Sequence, residues 1–340
     1  MVRVAVIGAG MVGLCSAINV QKELPEAEVT VIADKFSTDT TSFGAGGFFR
    51  PFMPDIAKGV DLKVAEQWVR DSWKYYASLA RSDLAKETGQ TLVPGMIAYR
   101  TPQDQQYDLL KELVGDFHRV DLEHLQKLNL DTYTYAYAFT TIIVQTPKFL
   151  DWLMKKFVAS GGKVQERTVK SLKELSSSFD IVVNCCGPRA QELLDDKSCF
   201  PIKGHIVMVR APWQKQFFYG EGDIYLIPHD DKLIIGGIKD KDNGSMTKYP
   251  YVREHILSRA LALFPQLKGA PIISEWVGLR PGRDGVRLEL ELVDGEQGRK
   301  LPVVHNYGHG GHGITLGWGC ALHATRLVKE ALTGVTTARL

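Results

Sequence analysis

The chain opens with a unit that leaves its backbone little freedom. Residues 2–7 are an apolar run of strand length interrupted only by Arg3, "GAGMVG" follows, and "LCSAINVQKEL" carries helical spacing. Residues 29–32 are a second apolar run, closed by Asp34. Together they form a β-α-β unit. Gly8, Gly10 and Gly13 stand as G-x-G-x-x-G between strand and helix. The first glycine permits the tight turn, the second lets backbone approach a pyrophosphate, and the third lets helix and strand pack closely. Ala9, Met11 and Val12 complete the turn, and the free N–H groups of the helix start favour phosphate. Asp34, with Lys35 beside it, is placed to accept from a ribose hydroxyl. The pattern points to a dinucleotide and leaves NAD and FAD both open.

The remaining 300-odd residues of the 340 suffice for a second domain. Apolar residues make up 44% and charged residues 24%, the balance of a globular enzyme. A net charge of +2 argues against nucleic acid or an acidic membrane as main partner. Five cysteines without a CxxC pair exclude paired-cysteine zinc sites and argue against a disulfide framework. No signal-peptide pattern opens the chain, and no run approaches the ~18 apolar residues of a membrane span. Residues 338–340, "ARL", are a conservative variant of the S-K-L peroxisomal address, which a peroxisomal import receptor would read; otherwise a cytoplasmic location is expected.

Helical spacing over residues 63–80 puts Val64, Trp68, Val69, Trp73 and Tyr76 on one face. Residues 103–127 read as more helix, and "YTYAYAFTTIIVQ" as strand. A helix is expected from Thr146 as N-cap to Gly161. Residues 164–169 and "FDIVVNCCG" read as buried strands, residues 202–210, 224–227 and 232–238 as a strand-rich patch, and residues 314–332 as a closing helix. This order suggests a nucleotide domain with a second domain inserted.

Three further stretches carry candidate chemistry. In "DTTSFGAGGFFRP", the hydroxyls of Thr40, Thr41 and Ser42 precede Gly46 and Gly47, which suits a loop beside phosphates or a ring, or a plain surface loop. "VGLRPGRDGVRLE" holds Arg280, whose planar donors match a carboxylate's two oxygens, among arginines that also suit a solvated surface. "HNYGHGGHGIT" offers His305, His309 and His312 for a metal. They lack the i, i+4 face of a zinc helix, and Gly310, Gly311, Gly313, Ile314 and Thr315 instead place glycine-rich backbone at a helix start. No metal is expected.

These blocks, with "TPKFLDWL", "IVVNCCG", "YLIP" and "IIGGI", resemble the D-amino acid oxidase and D-aspartate oxidase family along essentially the whole chain, more closely its D-aspartate branch. The resemblance implies an α/β fold with a discontinuous, Rossmann-type FAD-binding domain (residues 1–50, 140–195 and 280–340). It also implies a substrate domain on a mixed β-sheet (residues 51–139 and 196–279). Such enzymes oxidise the Cα–N bond of a D-amino acid to an imine, which hydrolyses to a 2-oxo acid and ammonia, while O2 becomes hydrogen peroxide. By residue-to-residue matching, Arg280 pairs with the α-carboxylate, the Tyr225 hydroxyl supports it, and the Gly311 carbonyl orients the amino group. Val169 matches a backbone contact to adenine, and Cys186 and Gly187 belong to the cofactor site. No general base is implied if hydride leaves Cα directly, and a monomer or homo-oligomer is expected.

Two departures bear on specificity. "QKQFFYGEGDIY" is shorter than the family's active-site lid and lacks a clear lid tyrosine. D-aspartate oxidases direct arginines at the second carboxylate; Lys239 stands at one such position, and the other falls near Phe218 or Tyr219. Lys239, assisted by His312, is therefore the expected cation for an acidic substrate. The alternative is a broad oxidase of neutral D-amino acids.

Overall fold

The computed structural model describes residues 1–102 and 107–334. Residues 338–340 lie outside the described residues. The strands are β1 Arg3–Ile7, β2 Glu28–Ala33, β3 Gln90–Tyr99, β4 His118–Val120, β5 Tyr135–Val144, β6 Lys163–Glu166, β7 Ile181–Asn184 and β8 Phe200–Val209. Then come β9 Phe217–Gly220, β10 Ile224–Pro228, β11 Leu233–Gly236, β12 Asp240–Lys241, β13 Ile272–Gly282, β14 Arg287–Asp294 and β15 Lys300–Tyr307.

A six-stranded sheet runs β14-β15-β7-β1-β2-β6. Its strands are parallel from β15 to β6, and β14 joins antiparallel at the edge. Parallel strands are covered on both faces, which is why residues 4–7 of β1 and 181–183 of β7 are apolar throughout. The helices Met11–Glu23, Thr146–Ala159 and Gly313–Thr333 cover one face, and Val169, Leu172, Leu175 and Phe179 cover the other. Helix Leu62–Ala80 packs on the last of these helices: the Tyr76 hydroxyl donates to the Ile314 carbonyl (2.9 Å), and the Gly319 amide donates to Ser72 Oγ (2.8 Å). Trp68 and Tyr76 thus share a core with Val4 and Leu14.

The larger sheet has nine strands, ordered β12-β8-β11-β10-β9-β3-β5-β4, with β13 along the other side of β8. Alternation along its strands sorts side chains to two faces. Leu226, Leu233, Ile235 and Phe218 meet Ile256 and Ala260 of helix Pro250–Leu263. Ile227, Ile234, Phe217, Tyr219 and Tyr225 face the other way. Of this second face, Tyr99, Ile206, Tyr219, Tyr225 and Ile227 line a cavity shared with the six-stranded half.

Three local expectations change. Residues 108–127 hold two short helices, Asp108–Leu113 and Leu122–Lys127, separated by β4, because His118–Val120 pairs with the edge of β5. Thr146 is the first helical residue and not the cap, since its hydroxyl donates to the carbonyls of Phe43 (2.9 Å) and Ala45 (3.1 Å). It thereby ties down the glycine loop. The strand expected over residues 164–169 is β6, ending at Glu166. The expected boundaries after residue 139 and before residue 280 fall inside β5 and β13, both members of the nine-stranded sheet.

Candidate active site

A cavity of about 590 Å³ lies between the two sheets. Its first wall is built from backbone. The carboxyl ends of β1, β2 and β7 deliver Gly8, Asp34 and Cys186, and two helix starts deliver Met11 and Gly313. This is the crevice where open α/β sheets bind ligands. A Cβ on Gly13 would overlap the Gly8 carbonyl oxygen, so only glycine allows helix and turn to approach this closely. The Met11 amide at the helix start holds Ser42 Oγ at 3.0 Å, bringing the hydroxyl loop onto the glycine turn. Asp34 stands 3.9 Å from Arg189, whose Nη2 donates to the Val169 carbonyl (3.2 Å).

Gly8, Ala9, Gly10, Met11, Val12, Gly13, Asp34 and Lys35 all line this wall, as do Thr40, Thr41, Ser42, Gly46 and Gly47. So do Cys186, Gly187 and the run Gly310, Gly311, His312, Gly313, Ile314 and Thr315. Val169 is the exception among the residues expected to line the site. It is buried and is not among the lining residues, but its carbonyl accepts from Arg189, which is.

The second wall is built from side chains of the nine-stranded sheet. Tyr225 on β10 and Arg280 on β13 come from strands on opposite sides of β8 and β11, and small residues make space for both. A Cβ on Gly236, opposite Tyr225 in β11, would overlap the tyrosine ring; one on Gly204 would press on the Arg280 guanidinium. Burial raises the Tyr225 pKa, so the hydroxyl stays protonated and able to donate; the Arg280 charge pulls the other way. Arg280 donates to the Ile238 carbonyl (3.3 Å) and, among the described residues, has no carboxylate within ion-pair distance. Pro281 follows it without cost because β13 is an edge strand.

Lys239 also reaches the cavity, but it is already engaged. Its Nζ lies 3.2 Å from Asp223, which also accepts from the Tyr219 hydroxyl (3.0 Å), and the lysine side chain is 49% exposed. His312 lies 3.7 Å from Asp55, and burial lowers its pKa. The three histidines of the glycine stretch diverge. His305 meets Asn184 (3.2 Å) and Glu291 (2.9 Å), His312 faces Asp55, and His309 Nε2 is buried without a partner. Among the described residues no group of three or more His, Cys, Asp or Glu is placed to hold a metal.

Sequence reading passed over Arg50, Asp223, Arg189 and Trp276, all of which line the cavity. Arg50 stands inside the quoted "GAGGFFRP" block. The signal available for it was alternation: in an extended segment, Phe48 and Arg50 share a side.

The residues present fit a flavin dinucleotide. The glycine-cradled helix start at Met11 and the hydroxyl loop beside it suit its phosphates, and Asp34 suits its ribose. The buried, partnerless Asn306 Oδ1 and His309 Nε2, both in cavity-lining residues beside the second helix start, are the polar atoms a ring system would satisfy.

Comparison with known proteins gives the same reading. Human D-aspartate oxidase is 39% identical over 336 residues, covering 98% of this chain and 97% of the relative. A D-amino-acid oxidase of Rubrobacter xylanophilus is 34% identical over 337 residues, 97% of each chain. Glycine oxidase from Geobacillus kaustophilus has the same fold, with a TM-score of 0.74 at 20% identity over 99% of this chain and 96% of that one. The family described as FAD dependent oxidoreductase matches residues 3–327, and the chain belongs to it.

Proposed function

We propose that this protein oxidises D-amino acids, acidic ones preferred, with FAD as cofactor and O2 as final electron acceptor. The products are a 2-oxo acid, ammonia and hydrogen peroxide. The observation that carries this reading is Arg280. It is a half-buried guanidinium in the cavity wall, with no carboxylate partner among the described residues and with the protonated Tyr225 beside it. A half-buried, unpaired charge is stabilised by a carboxylate ligand that brings matching oxygens. The relatives named for D-aspartate support the acidic preference.

Bound FAD supplies the two-electron acceptor. The chain supplies orientation. Arg280 and Tyr225 hold the α-carboxylate, and the Gly311 carbonyl accepts from the amino group. Three fixed points about a chiral carbon admit one enantiomer with its Cα–H aimed at the cofactor. The effect is one of positioning. The glycine-rich start of helix Gly313–Thr333 puts its positive end at the cavity, where it stabilises negative charge that builds during the reaction. The cofactor part is carried by the six-stranded sheet and the substrate part by the nine-stranded sheet. Residues 338–340 support delivery to peroxisomes, where peroxide is consumed.

Purified holoprotein should release equimolar peroxide and ammonia from D-aspartate and none from L-aspartate. Equal turnover of both enantiomers, or of neither any D- nor any L-amino acid, would contradict the proposal.

A further inference from the structure

The nine-stranded half of the cavity contains a second guanidinium that, among the described residues, has no carboxylate partner. Residues 47–49 run beside β5: the Phe49 amide donates to the Ile142 carbonyl (3.0 Å), and Thr141 Oγ1 donates to the Phe49 carbonyl (2.7 Å). Phe49 turns inward against Trp73 and Tyr76. Phe48 and Arg50 turn the other way, onto Tyr219 of β9. The Phe48 ring lies 6.2 Å from the tyrosine ring, and the Arg50 guanidinium carbon lies 4.0 Å from its centroid. Arg50 is therefore held by strand-like pairing and by stacking, not left on a mobile loop.

A guanidinium has five N–H donors. Among the described residues, the one hydrogen-bond acceptor Arg50 meets is the Tyr107 hydroxyl, at a long 3.5 Å. That hydroxyl is itself joined to Tyr99. Among the described residues no carboxylate lies within ion-pair distance of Arg50. Asp55, the acid nearest in sequence, faces His312, and Asp223 is taken by Lys239 and Tyr219. Arg50 is only partly exposed. A desolvated cation with unfilled donors beside a cavity is an anion site awaiting its anion. The cofactor's phosphates do not reach this role, because the amide and hydroxyl groups suited to them lie at Met11 and Ser42 on the opposite wall.

We propose that Arg50 binds the side-chain carboxylate of an acidic D-amino acid while Arg280 binds its α-carboxylate. This makes Arg50, and not Lys239, the residue that selects a dicarboxylate. The inference rests on the oxidase reading above. Two unpaired guanidinium groups in one cavity match a ligand with two carboxylates. Lys239 suits the role less well: a carboxylate arriving there meets Asp223 at the same amine, and the lysine is half exposed, where a point charge contributes little. Stacking on Tyr219 presents the Arg50 fork in a fixed plane, which a carboxylate can meet with two parallel bonds.

The test uses holoprotein carrying Arg50→Gln, Arg50→Lys or Lys239→Gln. Arg50→Gln should raise KM for D-aspartate by about 30- to 100-fold and for D-alanine by less than about fivefold, with kcat on D-aspartate changing far less. Arg50→Lys should recover part of the loss. Binding of non-reacting acids, followed through the bound flavin's visible spectrum, gives a second readout independent of turnover. The unaltered protein should bind succinate more tightly than butyrate, and Arg50→Gln should erase that preference. Equal losses on both substrates, or a selective loss in Lys239→Gln with none in Arg50→Gln, would overturn the assignment. Loss of succinate preference in Arg50→Gln, in a protein that turns over no D-amino acid, would refute the oxidase reading while supporting Arg50 as a carboxylate site.

Discussion

The two walls of the cavity are made by different means. The wall under the six-stranded sheet is backbone: glycine turns, helix starts and strand ends, drawn from short contiguous stretches. The wall under the nine-stranded sheet is side chain: Arg50, Tyr219, Tyr225 and Arg280 arrive from four separate segments and meet across the sheet. Backbone recognition tolerates little change at its glycines, because any Cβ occupies space the ligand or a neighbouring turn requires. Side-chain recognition can be retuned one residue at a time. The chemistry common to a family is accordingly expected on the first wall and substrate choice on the second.

Breaking the backbone wall should have the largest effect. Gly13→Val forces a branched side chain into the Gly8 carbonyl, so purified protein should lack stable flavin and gain none on titration with FAD. Flavin retained at normal stoichiometry would show that the turn has room the geometry denies. On the other wall, Arg280→Ala should keep its flavin and lose about 3–5 kcal/mol in kcat/KM, the scale for removing one partner of a buried charge pair. Near-normal turnover would place the α-carboxylate elsewhere.

How far each wall was legible follows from the same contrast. The turn at Gly8–Gly13, the hydroxyl loop and the helix starting at Gly313 are local in sequence, so residue type and spacing carry them. Val169 is matched through its own backbone, which residue type does not encode; its side chain is buried, and its carbonyl accepts from the cavity-lining Arg189. Arg50 was in view but silent. Its meaning depends on Tyr219, which arrives through β9 pairing in parallel with β3, and no local pattern encodes that pairing. Lys239 is expected as the second cation because it stands at a position where the resembled family carries arginine; its partner Asp223, supplied by the turn before β10, is not legible in that match. The long helix expected over residues 103–127 failed for a similar reason. β4 forms only because β5 offers it an edge.

Smaller effects sharpen the comparison. His229 donates Nε2–H to the Gly46 carbonyl (3.1 Å), and burial holds its pKa at about 4; His309, buried beside the second helix start, is likewise at about 4. Both values lie below the ~6.5 of an unfolded histidine, so below that pH the unfolded chain binds protons that the folded one refuses. The stability they provide is complete above pH ~6.5 and is lost progressively as pH falls toward 4. Thermal unfolding of the holoprotein should show Tm falling through this window, with a shallower fall in His229→Gln. A Tm independent of pH there would mean that both rings titrate normally. Smallest of all, Lys239→Met should cost D-aspartate turnover less than about 1 kcal/mol, because the amine is exposed and already paired with Asp223. A loss as large as that of Arg280→Ala would return the specificity role to Lys239.

The central claim, that the side-chain wall holds a D-amino acid against a flavin on the backbone wall, is tested most directly by anaerobic mixing. The yellow holoprotein should bleach within a single turnover when mixed with D-aspartate, more slowly with D-alanine, and not with L-aspartate. Arg280→Ala should keep its colour through the same exposure to D-aspartate. A holoprotein that stays yellow with every D-amino acid, or an Arg280→Ala variant that bleaches as fast as the unaltered chain, would contradict the account.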